Sequence, residues 1–247
     1  MFKKVLLILL MFCSLSAAEV KVVFPYFTPP YVLGEGRGLE IDIVREALGY
    51  KSHTVKPIFI SVGRSLEMFK SGFVDAIPIV QKNSGPGAYY SEPFIKQHVA
   101  AFALNSKAYD IEKIQDLKNY NVIAFQNAKK YLSKEFSDVA KASYYSYLEV
   151  EDQRQQVYML LKNRTNVIVL DKYVFEYYKN ELISQKKVDK EVKVDVFDLF
   201  KPTQYKLAFQ DKSVRDDFDE GLRQLKKSGR YKEIYDYYAK EYFRMKI

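Results

Sequence analysis

The chain has 247 residues, a net charge of +8, one cysteine, two histidines and no tryptophan, against 21 tyrosines and 17 phenylalanines. A single cysteine excludes a disulfide framework, and the two histidines, His53 and His98, lie apart in sequence with no nucleophile or metal-ligand spacing around them. Lysine pairs such as Lys129-Lys130, Lys186-Lys187 and Lys226-Lys227 are interleaved with acidic residues along the chain, the pattern of solvated helix faces rather than of a nucleic-acid surface.

The N-terminus reads as a cleaved secretory signal. Lys3 and Lys4 give a basic start, Val5 to Leu15 is an apolar run too short to span a bilayer, and Ser16-Ala17-Ala18 sets small residues before a cut at Glu19. Residues 1–18 are therefore assigned to the signal, and the location to the periplasm. Cleavage removes Cys13, the only thiol. Phe12 stands where a lipid-attachment pattern wants a small residue, which makes a lipid anchor through Cys13 the weaker alternative. No second long apolar run follows, so no membrane span is expected after cleavage.

From Val20 the elements alternate. Val20 to Phe24 reads as a strand, and Pro25-Tyr26-Phe27-Thr28-Pro29-Pro30-Tyr31 as a stiff loop that can hold aromatic rings exposed at the strand end. Gly34, Gly36 and Gly38 turn the chain into a helix over 39–48, whose apolar residues recur at helical spacing. A short helix over 63–72 precedes a strand over 74–80, a Gly/Pro loop at 83–87 and an apolar strand over 99–104. Asp110 is expected to cap a helix through Leu117, followed by a strand over 121–125 and a helix over 128–136. The spacing predicts a further helix over 152–161, a buried strand over 166–171 ending in a carboxylate, and a helix over 173–182. Strands over 192–197 and 205–209 precede two last helices, the first opening at Ser213 and the pair divided by Gly229. In the final helix Tyr231, Tyr235, Tyr238 and Tyr242 share a face that should pack on the domain. Helices and strands alternating twice over make this an α/β chain of two lobes.

Several segments carry a resemblance. They are Pro30-Tyr31 with Gly38-Leu39-Glu40-Ile41-Asp42-Ile43-Val44, Lys70-Ser71-Gly72-Phe73-Val74-Asp75-Ala76, Tyr90-Ser91-Glu92-Pro93-Phe94, Ile114-Gln115-Asp116-Leu117-Lys118, Asn166 to Asp171 and Leu222 to Tyr231. Taken in order, they resemble the periplasmic solute-binding proteins of amino-acid ABC transporters, family 3, over essentially the whole mature length. The resemblance implies an α/β two-lobed clamp of the type II periplasmic-binding fold with two hinge crossovers. Lobe 1 would hold residues 19–103 plus 210–247 and lobe 2 residues 104–209, with hinge strands near 101–106 and 205–210. A small polar solute, an amino acid or related metabolite, would bind between the lobes of a monomer and pass to a membrane permease.

The resemblance also nominates site residues. Tyr26, Phe27 and Tyr31 lie where the family sets an aromatic ring against its ligand, with hinge packing as the competing role. Asp171 matches the carboxylate that grips a ligand's α-ammonium group, and a helix N-cap is its alternative. Gln126 and Asn127 occupy the loop that presents backbone donors. The departure lies beyond the strand over 74–80. There the family continues Thr-x-Thr-x-x-Arg, whose arginine forks onto the α-carboxylate, and this chain has Gln81-Lys82-Asn83-Ser84-Gly85. Lys82 offers a point charge without the planar fork, and Arg64 is a second candidate cation. No cofactor or metal is implied. A sensory or accessory role on the same clamp, or less readily a periplasmic enzyme, are the alternatives to transport.

Overall fold

A computed structural model describes residues 17–79, 87–143 and 146–243. Residues 1–16 of the signal stretch, Gln81 and Lys82 thus lie outside the described residues. Two sheets organise the chain. The first is built from β1 (Glu19–Phe24), β2 (Thr54–Phe59), β3 (Ala76–Ile79), β4 (Tyr89–Tyr90), β5 (Ile95–Gln97) and β11 (Thr203–Phe209). The second contains β6 (Val99–Leu104), β7 (Val122–Phe125), β8 (Tyr147–Val150), β9 (Val167–Asp171) and β10 (Val194–Phe197).

The strand order is β2-β1-β3-β11-β4 in the first sheet, with β5 also on β11, and β10-β6-β9-β7-β8 in the second. β1 is parallel to β2 and β3, and β7 to β8 and β9, whereas β11 and β6 run antiparallel to every partner they have. The chain therefore crosses between sheets twice, once at His98 and once over residues 198–202. Each crossing is flanked by one strand of either sheet, β5 and β6 at the first and β10 and β11 at the second.

Eight α-helices are described: α1 (Leu39–Gly49), α2 (Val62–Lys70), α3 (Ala128–Tyr131), α4 (Lys134–Ala142), α5 (Gln153–Leu161), α6 (Lys172–Ser184), α7 (Lys212–Ser228) and α8 (Arg230–Tyr238). One apolar cluster runs continuously from α1, α7 and α8 of the first unit to α5 and α6 of the second. Gly221 lets α7 lie against α1, because a Cβ there would collide with the Ala47 carbonyl. A smaller cluster on the opposite side of the second sheet joins Ala101, Val122, Val169 and Phe136. The tyrosine face does pack: Tyr238 is buried, and Tyr242 stacks on it and tilts against Tyr177 of α6.

The structure differs from the sequence reading at four places. No helix opens at Asp110; the Asp116 carboxylate takes the amides of Glu112 and Lys113 at 3.0 Å each, and only a 3-10 turn at Ile114–Asn119 follows. The helix over 128–136 breaks in two, with Ser133 accepting from the Phe136 amide to start α4. Asp211, not Ser213, caps α7 through the amides of Ser213 and Val214. Four strands went unread: β4 and β5 are only two and three residues long, and β2 and β8 are sheet edges where Pro57 and the exposed Leu148 blur the strand pattern.

Candidate functional site

Asp171 closes β9, a strand buried along its whole length in the middle of the second sheet, and its side chain turns at the point where α6 begins. Its Oδ1 accepts from the amides of Tyr173 at 2.8 Å and Val174 at 3.2 Å, so it is the N-cap of α6. The same oxygen accepts from the Tyr31 hydroxyl at 3.1 Å, and Oδ2 accepts from the His98 amide at 2.7 Å. Four donors thus converge on one carboxylate, which is 7% exposed. Burial pushes its pKa up to about 6, and the four hydrogen bonds oppose that rise. A carboxylate has about four lone-pair sites. An ammonium group reaching Asp171 therefore has to compete with a donor already in place, and the Tyr31 hydroxyl is the one that is not backbone.

Tyr31 is fully buried, not held open on a loop. Its ring tilts against Tyr173 at 6.2 Å, and its hydroxyl bond to Asp171 joins a residue ahead of α1 to one at the end of β9. Burial and the neighbouring Asp171 hold the Tyr31 phenol well above its ordinary pKa, so it is a donor at all physiological pH values. Tyr26 and Phe27, five and four residues earlier, are 65% and 52% exposed. The aromatic loop therefore divides into an inward tyrosine and two outward rings.

Gln126 and Asn127 follow β7, and Asn127 takes the left-handed conformation, φ 64°, that starts α3. Two of the backbone donors here are occupied. Glu149 of β8 accepts from the Asn127 amide at 2.9 Å and the Lys129 amide at 3.0 Å, while Tyr147 donates to it at 2.8 Å. Arg64 is exposed in the first turn of α2. Of the nominated residues, Tyr31 and Asp171 meet; among the described residues Tyr26, Phe27, Arg64, Gln126 and Asn127 form no hydrogen bond, ion pair or ring contact with that pair or with one another.

A cavity of about 740 Å³ opens beside the first crossing and takes only Asp171 from the nominated set. Around it stand Lys96, His98, Tyr173, Asp198, Tyr231 and Tyr235. Asp198 holds Lys172 at 2.5 Å and faces His98 at 3.3 Å, so both crossings are tied to the start of α6. Burial, with Lys172 and Lys96 nearby, lowers the His98 pKa below its ordinary value. His53, by contrast, is buried and structural: its ring accepts from the Ala18 amide and pairs with Asp217 at 3.0 Å.

The sequence reading passed over Glu40 and Tyr205. Glu40 is 5% exposed in the first turn of α1, and burial alone raises its pKa to about 8. Tyr205 on β11 has Glu40, Asp171 and Tyr131 as its electrostatic neighbours. The signal was a carboxylate inside Gly38-Leu39-Glu40-Ile41, set between two apolar residues that α1 buries.

The sequence matches no protein-family model, and a search of curated proteins finds no match. Solved structures do match. A histidine kinase sensor domain with similarity to periplasmic binding proteins superimposes with a TM-score of 0.68 at 17% identity, over 89% of this chain and 95% of that one. The GluR0 ligand-binding core from Nostoc punctiforme, in complex with L-glutamate, gives 0.66 at 21% identity over 89% and 98%. An ancestral cationic amino acid solute binding protein gives 0.67 at 17% over 91% and 95%. Two sheets crossed twice by the chain, and structural matches that span nearly all of it, establish that this protein has the two-lobed α/β fold of the type II periplasmic binding proteins.

Proposed function

We propose that this chain is an extracytoplasmic solute-binding protein that captures a small polar solute between its lobes and delivers it to the membrane permease of an ABC transporter. The observation that carries the reading is the hydrogen bond from Tyr31 to Asp171, which ties the two units together beside the crossings, where closure of a clamp would enclose a ligand. Similar folds solved with glutamate or named for cationic amino acids support a ligand of amino-acid size. The basic start and apolar run before Glu19 support export, and no described helix is long and apolar enough to cross a membrane. The reading is non-catalytic, with the protein acting as a monomer.

A second reading has its own support: the match to a histidine kinase sensor domain favours a clamp that reports its ligand to a partner. Thermal unfolding of residues 19–247 against amino acids, amines, sugars and carboxylates tests the common part of both. A ligand that binds only the folded state raises Tm by mass action. One such compound is expected, and none in the panel overturns the binding reading. Uptake of the hit by cells lacking the gene then separates the two, since lost uptake supports delivery and unchanged uptake supports sensing.

A further inference from the structure

Glu40 is a carboxylate buried to 5% exposure with no hydrogen-bond or ion-pair partner among the described residues. Its position in α1 explains why. The amides that open the helix are already bonded, Leu39 to the Pro30 carbonyl and Glu40 to the Tyr31 carbonyl at 3.0 Å each, and the Gly38 amide donates to the Tyr238 hydroxyl at 3.0 Å. Four arginine and lysine side chains on α1 and on the elements packed against it are likewise held elsewhere. Arg45 is engaged by Asp42, Lys56 by Glu19, Arg223 by Glu220 and Arg230 by Glu46. A buried acid left without a donor or a cation is costly to keep.

The Tyr205 hydroxyl, also without a hydrogen-bond partner among the described residues, feels the charges of Glu40 from the first unit and of Asp171 from the second, and Asp171 in turn accepts from the Tyr31 hydroxyl. The segment over 80–88 carries no arginine, and the amides at Asn127 and Lys129 are taken by Glu149.

We propose that the solute of this clamp is a cation, carrying an ammonium, amidinium or guanidinium group and no carboxylate that needs an arginine clamp, and that the buried, unpartnered Glu40 is its counter-ion. This rests on the ligand-binding reading above and narrows its ligand class. An ammonium, amidinium or guanidinium supplies the donors Glu40 lacks. Binding then requires the carboxylate form. Because burial holds the Glu40 pKa at about 8, affinity for the cation rises about tenfold per pH unit up to that value, and each binding event releases a proton. The other groups at this helix end are Tyr238, which donates to Asp42 at 2.6 Å, and the Asp42–Arg45 pair.

The test is titration calorimetry and thermal shift on residues 19–247 with putrescine, agmatine and choline as cations, glutamate and succinate as anions, and glucose as a neutral probe. At least one cation is expected to bind, more tightly at pH 8 than at pH 6.5, with proton release. Glu40→Gln keeps the shape, so it should fold, as circular dichroism will check, and it should lose at least tenfold in cation affinity along with the pH dependence. Unchanged cation binding by Glu40→Gln overturns the assignment. So does binding of glutamate, succinate or glucose with none of the cations, an outcome that leaves the ligand-binding reading standing. Silence across all six probes, and across the wider panel above, overturns that reading and this inference with it.

Discussion

Asp171 and Glu40 are both buried carboxylates at the start of a helix beside the junction of the two sheets, yet Asp171 receives four hydrogen bonds and Glu40 none. The difference follows from one turn of backbone. Asp171 sits at the N-cap, where an extended residue can fold its side chain onto the amides ahead of it. Glu40 lies inside the first turn of α1, whose amides are bonded to the carbonyls of Pro30 and Tyr31. Burial raises both acids, to about 6 where hydrogen bonds offset it and to about 8 where nothing does. One carboxylate is used to build the junction and the other is available to it.

The largest effect expected from this contrast is on stability against pH. A carboxyl whose folded pKa lies above its unfolded value binds more protons in the folded state across that interval, so stability falls as pH rises through it. For Glu40 the window runs from about 4.5 to about 8, and for Asp171 from about 3.8 to about 6. Each group contributes a slope of up to roughly 1.4 kcal/mol per pH unit inside its window. Wild-type stability should therefore decline from pH 4 to pH 8, and Glu40→Gln should abolish the decline between pH 6 and pH 8 while keeping the part below pH 6. Urea melts at pH 5, 6.5 and 8 read this directly. Parallel curves for the two proteins would mean that Glu40 is not the unpaired acid described.

Asp171→Ala should come next, at about 3 kcal/mol lost at pH 7. It removes a helix cap, for about 1 kcal/mol, and leaves the buried Tyr31 hydroxyl and His98 amide without an acceptor, at about 1 kcal/mol or more each. Chemical denaturation measures the sum, and a loss under 1 kcal/mol would show that the junction does not depend on this carboxylate.

How far this contrast was legible in the sequence depends on whether the cause was local. β9 announced itself as an apolar run ending in an acid, and the N-cap role weighed for Asp171 was visible because a cap is a matter of neighbouring residues, whereas the ligand contact came only with the family resemblance. The two-lobed alternation was legible for the same reason, through central strands such as Val99 to Leu104 whose pattern is unbroken. Edge strands β2 and β8 were not, since half-exposed strands carry a weaker pattern. Tyr31 was grouped with Tyr26 and Phe27 on one loop. Only the cross-sheet bond to Asp171, 140 positions away, separates the inward ring from the two outward ones. Glu40 could be seen as a charge between Leu39 and Ile41, but the absence of a partner is a property of the whole neighbourhood.

Tyr31→Phe isolates that cross-sheet bond with the ring packing kept. About 1 to 2 kcal/mol should be lost, the net worth of a hydrogen bond to a buried carboxylate. The remaining donors to Asp171 are backbone amides, so the helix cap should survive, with unchanged helical content by circular dichroism. If the solute displaces the Tyr31 hydroxyl from Asp171, Tyr31→Phe should also bind it at least as tightly as the wild type, whereas a weaker complex would place the hydroxyl in direct contact with the solute.

The smallest effect should come from Glu149, a third carboxylate, paired like Asp171 but set at a sheet edge. Its bonds to the Asn127 and Lys129 amides organise the left-handed turn into α3 much as Asp171 organises the start of α6. Solvent reaches this site, however, so removing the charge does not strand a donor away from water. Glu149→Gln should cost about 0.5 to 1 kcal/mol at pH 7, roughly a third of the Asp171→Ala loss, with one oxygen still able to accept. An equal loss at the two positions in urea melts would break the argument that burial, rather than the number of amides bonded, sets what a capping carboxylate contributes here.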